Sequence, residues 1–139
     1  MSDLHYPVKG QCQCGHVSFT LKAAPKMVIA CHCKECQKLS TSAFSITSIV
    51  NADDIEIKGE LKTTRRVADS GNENVGYFCP SCGNRIYQLN PAAPEMIKFK
   101  AAGCLEDTRM IVPTMHVWTS EKQDWVIIPD DVQQFDKQR

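Results

Sequence analysis

The chain has no excess charge of either sign. Sixteen lysines and arginines balance sixteen aspartates and glutamates, for a formal net charge of zero. The electrostatic footprint of a nucleic-acid binder is therefore missing, and no nucleic-acid partner is expected. No apolar run approaches the roughly 18 residues a membrane helix needs, so no membrane partner is expected either. The segment Met1 to Gly10 lacks a basic region followed by an apolar stretch. That pattern leads us to expect no export signal and a cytoplasmic location. Repeats, low-complexity blocks and long Pro/Gly/Ser linkers are also wanting, so we expect one domain over residues 1–139. Aromatic residues make up only 7% of the chain, yet 42% is hydrophobic, enough for a modest core at this length.

Helical periodicity is scarce too; the best stretch is Lys34 to Leu39. Short β-type segments recur instead. His16–Leu21 alternates, and Phe44–Val50 is rich in β-branched residues. Ile55–Lys58, Leu61–Val67, Val75–Phe78, Arg85–Leu89, Met96–Ala101, Thr114–Trp118 and Trp125–Ile128 follow, mostly separated by Gly, Pro, Asn or Asp. This spacing predicts a mainly β fold.

What the chain does have is eight cysteines. A secreted mini-protein would use an even number as a disulfide framework, but a chain long enough to fold around a core, with no export signal, points to metal. Seven of the eight fall into three groups: Cys12-Gln13-Cys14-Gly15, Cys31-His32-Cys33-Lys34-Glu35-Cys36 and Cys79-Pro80-Ser81-Cys82-Gly83. The first and third each end in a Cys-Gly step, where glycine allows positive φ so that amides can curl toward sulfur. Together they supply four thiolates, the number a closed tetrahedral zinc site takes. The middle group supplies three thiolates and runs into the helical stretch. Three protein ligands leave a fourth zinc position for water or substrate. Three thiolates against Zn²⁺ leave a charge of about −1, a poor activator of water. A thiol would suit such an ion better, because coordination removes its proton and the electron-rich neighbours keep its sulfur nucleophilic. The groups could also share ligands differently, or Cys104 could close the second site.

Other residues near these groups carry weaker signals. His32, between Cys31 and Cys33, is expected to point away from the thiols, toward solvent or a backbone group. His116 alternates along a strand and could either approach the open site or serve the structure. Lys98 and Lys100 share a strand face and could meet an anionic substrate, as could Arg65 or Arg66, although solvation is the plainer expectation for each.

A zinc deaminase would carry HxE and a later PCxxC, whereas His32 is followed by Cys33-Lys34-Glu35 and the late pair reads Cys79-Pro80-Ser81-Cys82. A thioredoxin-like CxxC would need a βαβ context that neither Cys33–Cys36 nor Cys79–Cys82 has. The pattern Gly10-x-Cys12-x-Cys14-Gly15, Cys31-His32-Cys33-x-x-Cys36 and Phe78-Cys79-x-x-Cys82-Gly83 resembles the glutathione-dependent formaldehyde-activating enzyme and centromere protein V family. Ala102-Gly103, Leu105-Glu106-Asp107, Pro113, His116-Val117-Trp118, Lys122, Trp125 and Gln134-Phe135 extend the resemblance. It departs at Thr41, where relatives often place a glycine soon after the serine, and at Cys104, where a small hydroxyl residue is more usual.

The resemblance implies an Mss4-like fold of several small curled antiparallel sheets stapled by zinc, with two zinc ions per chain. Cys12, Cys14, Cys79 and Cys82 would hold a structural zinc, and Cys31, Cys33 and Cys36 a catalytic one. The implied activity is that of a carbon–sulfur lyase of the S-(hydroxymethyl)glutathione synthase type, acting on a small thiol such as glutathione and a small aldehyde, formaldehyde. The alternative is a non-enzymatic zinc module that binds a protein partner or buffers metal.

Overall fold

The structure, a computed structural model, describes residues 5–138. In chain order its regular elements are β1 (Val8–Gln11), β2 (Ser18–Leu21), β3 (Met27–Cys31), α1 (Lys34–Ser40), β4 (Ser45–Asn51), β5 (Ile55–Lys58), β6 (Lys62–Val67), β7 (Glu73–Phe78), β8 (Arg85–Leu89), β9 (Met96–Phe99), β10 (Met115–Val117) and β11 (Gln133–Gln134). Short 3₁₀ turns join several of them, including Ala102–Cys104. The fold is mainly β, with one α-helix among the described residues.

The strands form two sheets rather than the several small antiparallel ones expected. One has three strands in the order β1-β2-β5, and the other has eight in the order β11-β10-β3-β4-β9-β8-β7-β6. The sheets are not wholly antiparallel, because β10 runs parallel to both β3 and β11. Most expected strands stand within a residue or two of their positions, but Trp125–Ile128 is not one. Val126 and Ile128 alternate inward against Ala43, Phe44 and Val132, so the alternation there marks burial of a loop and not a ladder.

The main core lies where the small sheet packs against the middle of the large one. Phe19 of β2 meets Phe99 of β9 edge to face, with ring centroids 5.2 Å apart. Leu21, Val17, Val50 and Ile86 surround them, all essentially without solvent contact. Such burial is worth on the order of 2 kcal/mol per large apolar side chain. Gly10 serves a specific approach: a Cβ there would collide with the Cys104 carbonyl and the Phe19 ring. Its backbone instead bridges to Leu105, which sets the Ala102–Cys104 turn beside the first cysteine turn.

The two sheets place the three cysteine groups. The first group is the turn between β1 and β2, the third is the turn between β7 and β8, and the middle group joins the end of β3 to α1.

Candidate metal centres

Four sulfurs, from Cys12, Cys14, Cys79 and Cys82, lie within 4.8 Å of one another. Each pair sits on a tight turn closed by a glycine at positive φ, Gly15 at 84° and Gly83 at 81°. The Gly15 amide donates to the Cys12 carbonyl and the Gly83 amide to the Cys79 carbonyl. This winding turns further amides onto sulfur: Val17 N–H to Cys12 Sγ at 3.3 Å, and the Ser81 and Cys82 N–H groups to Cys79 Sγ at 3.3 and 3.4 Å. Amides aimed at sulfur favour the thiolate. The backbone amides of Asn84 and Cys14 likewise pull the Cys82 thiol down to about 6.

The spacing suits a tetrahedral ion. Four thiolates about 2.3 Å from zinc stand about 3.8 Å apart. The Cys12–Cys14 and Cys14–Cys79 sulfurs are each separated by 3.7 Å. Asn84, which drew no attention in the sequence, ties the two turns together by accepting the Gln13 amide on Oδ1 at 2.8 Å.

The second cluster has three sulfurs, from Cys31, Cys33 and Cys36, again within 4.8 Å of one another and all half-buried. Cys33 is the N-cap of α1, with extended backbone and its sulfur accepting the Cys36 amide at 3.2 Å. Sulfur here does what a serine or aspartate oxygen does at most helix starts. The C-terminal segment holds this short helix from outside. Glu121 Oε1 accepts the Lys34 amide at 2.7 Å, and the Gln37 side chain donates to the His32 and Glu121 carbonyls at 2.8 and 3.0 Å. The helix ends at Thr41 in the left-handed region, φ 46°, where its amide caps the Gln37 and Lys38 carbonyls. The family's usual glycine would meet that backbone demand without strain.

Without metal, the trio shares its protons unevenly. The Cys31 and Cys33 thiols hydrogen-bond to Cys36 and hold its pKa well down, with the Lys100 charge and the Ser45 hydroxyl adding to the effect. Cys31 is pushed up by the same contacts with Cys33 and Cys36. The donor set is therefore three soft sulfurs, one already inclined to be a thiolate, and it fits a thiophilic metal ion.

Three expectations about individual residues change. Cys104 does not close the three-sulfur cluster; it lies on the other side, its Sγ 3.9 Å from Asn84 Oδ1 beside the four-cysteine group. His32 does point away from the thiols, but not to solvent or backbone. It is fully buried, with Nε2 2.8 Å from His116 Nδ1, and the two rings stack. Burial, with His116 and Lys122 nearby, brings His32 down to about 4, and burial also lowers His116. The pair is therefore neutral at pH 7, and His116 serves the structure of the C-terminal segment against β3 and not the open cluster.

Lys100 is the third and largest change. It is not a solvated surface lysine: its Nζ donates to Thr47 Oγ1 at 2.6 Å and reaches Ser45 Oγ at 3.5 Å, with Cys36 and Cys31 close enough to bear on its charge. Thr47 and Ser45 are themselves buried, at 7% and 3% exposure. Lys98 shares its face, opposite Ile49, but stands one pleat further from the cysteines. The arginines stand where solvation placed them. Arg65 is exposed and paired with Glu73 at 2.7 Å, and Arg66 is exposed on the same strand.

A cleft of about 650 Å³ runs from the end of α1 to the β7–β8 turn, between the two clusters. Its polar lining includes Ser40, Ser45, Thr64, Asn84, Arg85 and Lys100. The arrangement offers one complete four-thiolate set, and one three-thiolate set with a cation beside it that also lines the cleft.

The family model for the glutathione-dependent formaldehyde-activating enzyme matches residues 7–121. A Halomonas elongata protein assigned by name to the same enzyme is 26% identical over 126 residues, covering 87% of this chain and 80% of that protein. A crystal structure of a Rhodobacter sphaeroides protein is similar at 20% identity and a TM-score of 0.49, covering 70% of this chain and 87% of the other.

Proposed function

The chain belongs to the glutathione-dependent formaldehyde-activating enzyme family, and from that premise we propose that it is a zinc-dependent carbon–sulfur lyase-type enzyme. In this reading it joins a small thiol such as glutathione to formaldehyde, giving the S-hydroxymethyl adduct. Cys12, Cys14, Cys79 and Cys82 hold a structural zinc that pins the two sheets together in the manner of an Mss4-like fold. Cys31, Cys33 and Cys36 hold a catalytic zinc. A reducing, cytoplasmic compartment belongs to the same proposal, because thiolate ligands must stay reduced.

The observation that carries the reading is the second cluster: three half-buried sulfurs and, tethered beside them, a lysine that also lines the neighbouring cleft. Zinc held by three thiolates would supply an open position at which a thiol gives up its proton while its sulfur stays nucleophilic. The chain's own groups do the rest. The carbon–sulfur bond forms between the substrate sulfur and the aldehyde carbon, and the carbonyl oxygen takes up one proton. Lys100 Nζ, fixed by Thr47 and Ser45, is the cation available to hold that oxygen while its negative charge develops. The neutral His32–His116 pair and the Glu121 cap keep β3 and α1, and with them all three sulfurs, in one place.

The test is exchange spectroscopy of glutathione and its hydroxymethyl adduct by NMR, since the uncatalysed addition is itself easy. Wild-type protein should speed the exchange, and Cys33→Ser should return it to the uncatalysed rate while keeping the fold. Full acceleration by Cys33→Ser would sink the proposal and favour a zinc module without catalysis.

A further inference from the structure

Among the described residues, the lining of the cleft near the three-sulfur cluster includes two cations and neither aspartate nor glutamate. The two are differently committed. Lys100 is bound to two hydroxyls beside the cysteines, where the proposed reaction already uses it. Arg85 lines the same cleft without an acidic partner among the described residues. Its Nη1 donates to Gln88 Oε1 at 3.2 Å, which uses one of the five N–H donors of the guanidinium fork.

The fold builds a seat for this arginine. Its guanidinium lies over Gly76 of β7, where a Cβ would stand 2.6 Å from Nη1 and 2.8 Å from Cζ. A side chain at 76 would thus displace it. Gln88, its tether, is itself buried at 7% exposure. Nearby, Asn84 has Oδ1 taken up by the Gln13 amide, which leaves its NH₂ group as a further donor. The Thr64 hydroxyl completes the polar wall. In a chain of zero net charge this concentration of donors is a local arrangement.

We propose that Arg85 makes this cleft a carboxylate-binding site, so that the thiol taken by the neighbouring cluster carries a carboxylate and needs no amino group. A planar guanidinium fork matches a carboxylate in bidentate fashion. The absence of any acidic side chain from the lining leaves nothing to read an ammonium group. The inference rests on the reading of a thiol as substrate, and it deepens that reading: acidic thiols without an amine should serve as well as glutathione.

The experiment is calorimetric titration of the metal-loaded protein with three thioethers: S-methylglutathione, its diethyl ester and its N-acetyl derivative. None has a free thiol, so the result does not depend on thiol chemistry at the cluster. The acid and its N-acetyl derivative should bind alike. The diester should bind at least about tenfold more weakly, the scale of one lost charged hydrogen-bonding pair. Arg85→Gln, which keeps a polar group for Gln88, should weaken the acid to the level of the diester and leave the diester unchanged. Equal binding of acid and diester, a comparable loss on N-acetylation, or no binding of the acid would each overturn the proposal. None of these outcomes needs a variant, so they stand even if Arg85→Gln folds poorly. A protein that passes this test but fails the NMR exchange test would keep the carboxylate site and lose the proposed reaction.

Discussion

The two cysteine clusters use the same side chain to opposite ends. The four-cysteine group joins turns 65 residues apart in sequence, and its surroundings are backbone amides. The three-cysteine group spans six residues, and beyond amides such as that of Cys36 on Cys33 its surroundings are side chains, a lysine and buried hydroxyls, of which Lys100 and Ser45 also line the cleft. Amides on a glycine turn stabilise thiolates at fixed cost and leave nothing for a visitor to do. A tethered cation and open space favour charge that appears only when a visitor arrives. Long-range closure is therefore the mark of the cluster proposed to hold the fold, and local closure near a cleft the mark of the one proposed to do the chemistry.

The sharpest way to break this contrast is to remove a sulfur from each cluster. Cys79→Ser should lower the melting temperature by roughly 10 °C or more, because a metal tie between distant segments and a buried ligand are lost together. Circular dichroism melts would show it, and an unchanged melt would remove the structural role. Cys33→Ser should melt within a few degrees of wild type, since serine is itself a good helix N-cap and α1 can still start there.

The electrostatic half of the contrast turns on Lys100. Its charge helps to hold Cys36 down, so Lys100→Met should let Cys36 rise toward the ordinary thiol range. Metal competes with protons for that sulfur, so half-loading of the three-cysteine site should move to higher pH while the four-cysteine site is unaffected. Metal analysis after dialysis across a pH series reads both; an unshifted curve would separate Lys100 from the cluster.

A smaller effect should come from the buried histidines. Burial lowers the His116 pKa below that of an unfolded histidine, about 6.5. The unfolded chain therefore takes up the proton first, and this contribution to stability is present above that pH and fades as pH falls below it. His116→Phe should flatten the loss of stability between neutral and mildly acid pH in urea titrations, and an equally steep loss would place the acid sensitivity elsewhere. The smallest change concerns Thr41, whose φ of 46° is disfavoured for a β-branched residue. Thr41→Gly should stabilise the protein by about 1 kcal/mol in the same titrations, and a loss would mean the threonine side chain makes a compensating contact.

Much of the local structure was legible in the residues. Ile55–Lys58 and Arg85–Leu89 are strands over their full expected lengths, and Lys34 to Leu39 is helical with one further residue, because alternation and turn residues act over a few positions. The membership of both clusters followed from ligand count and Cys-Gly steps. Strands β1, β3 and β11 escaped notice for different reasons: β1 pairs with its neighbour β2 but has Gly10 where an apolar residue would show the alternation, β3 is flanked by β10 from far along the chain, and β11 is two residues long.

The same holds for the side chains that were misplaced. His32 meets His116 across 84 residues, Lys100 meets Thr47 across 53, and Gln13 meets Asn84 across 71. None of these pairings leaves a local signal. Cys104 was unassignable for a related reason: it reaches the four-cysteine group only through Asn84 and the Gly10–Leu105 bridge.

The central claim is that one cluster is closed and the other open. It is tested most directly by titrating glutathione into cobalt-loaded protein and following the thiolate-to-cobalt absorption. The account predicts two cobalt ions per chain and a spectral change corresponding to one of them, absent in Cys33→Ser. A spectrum indifferent to the thiol, or a change that persists in Cys33→Ser, would contradict it.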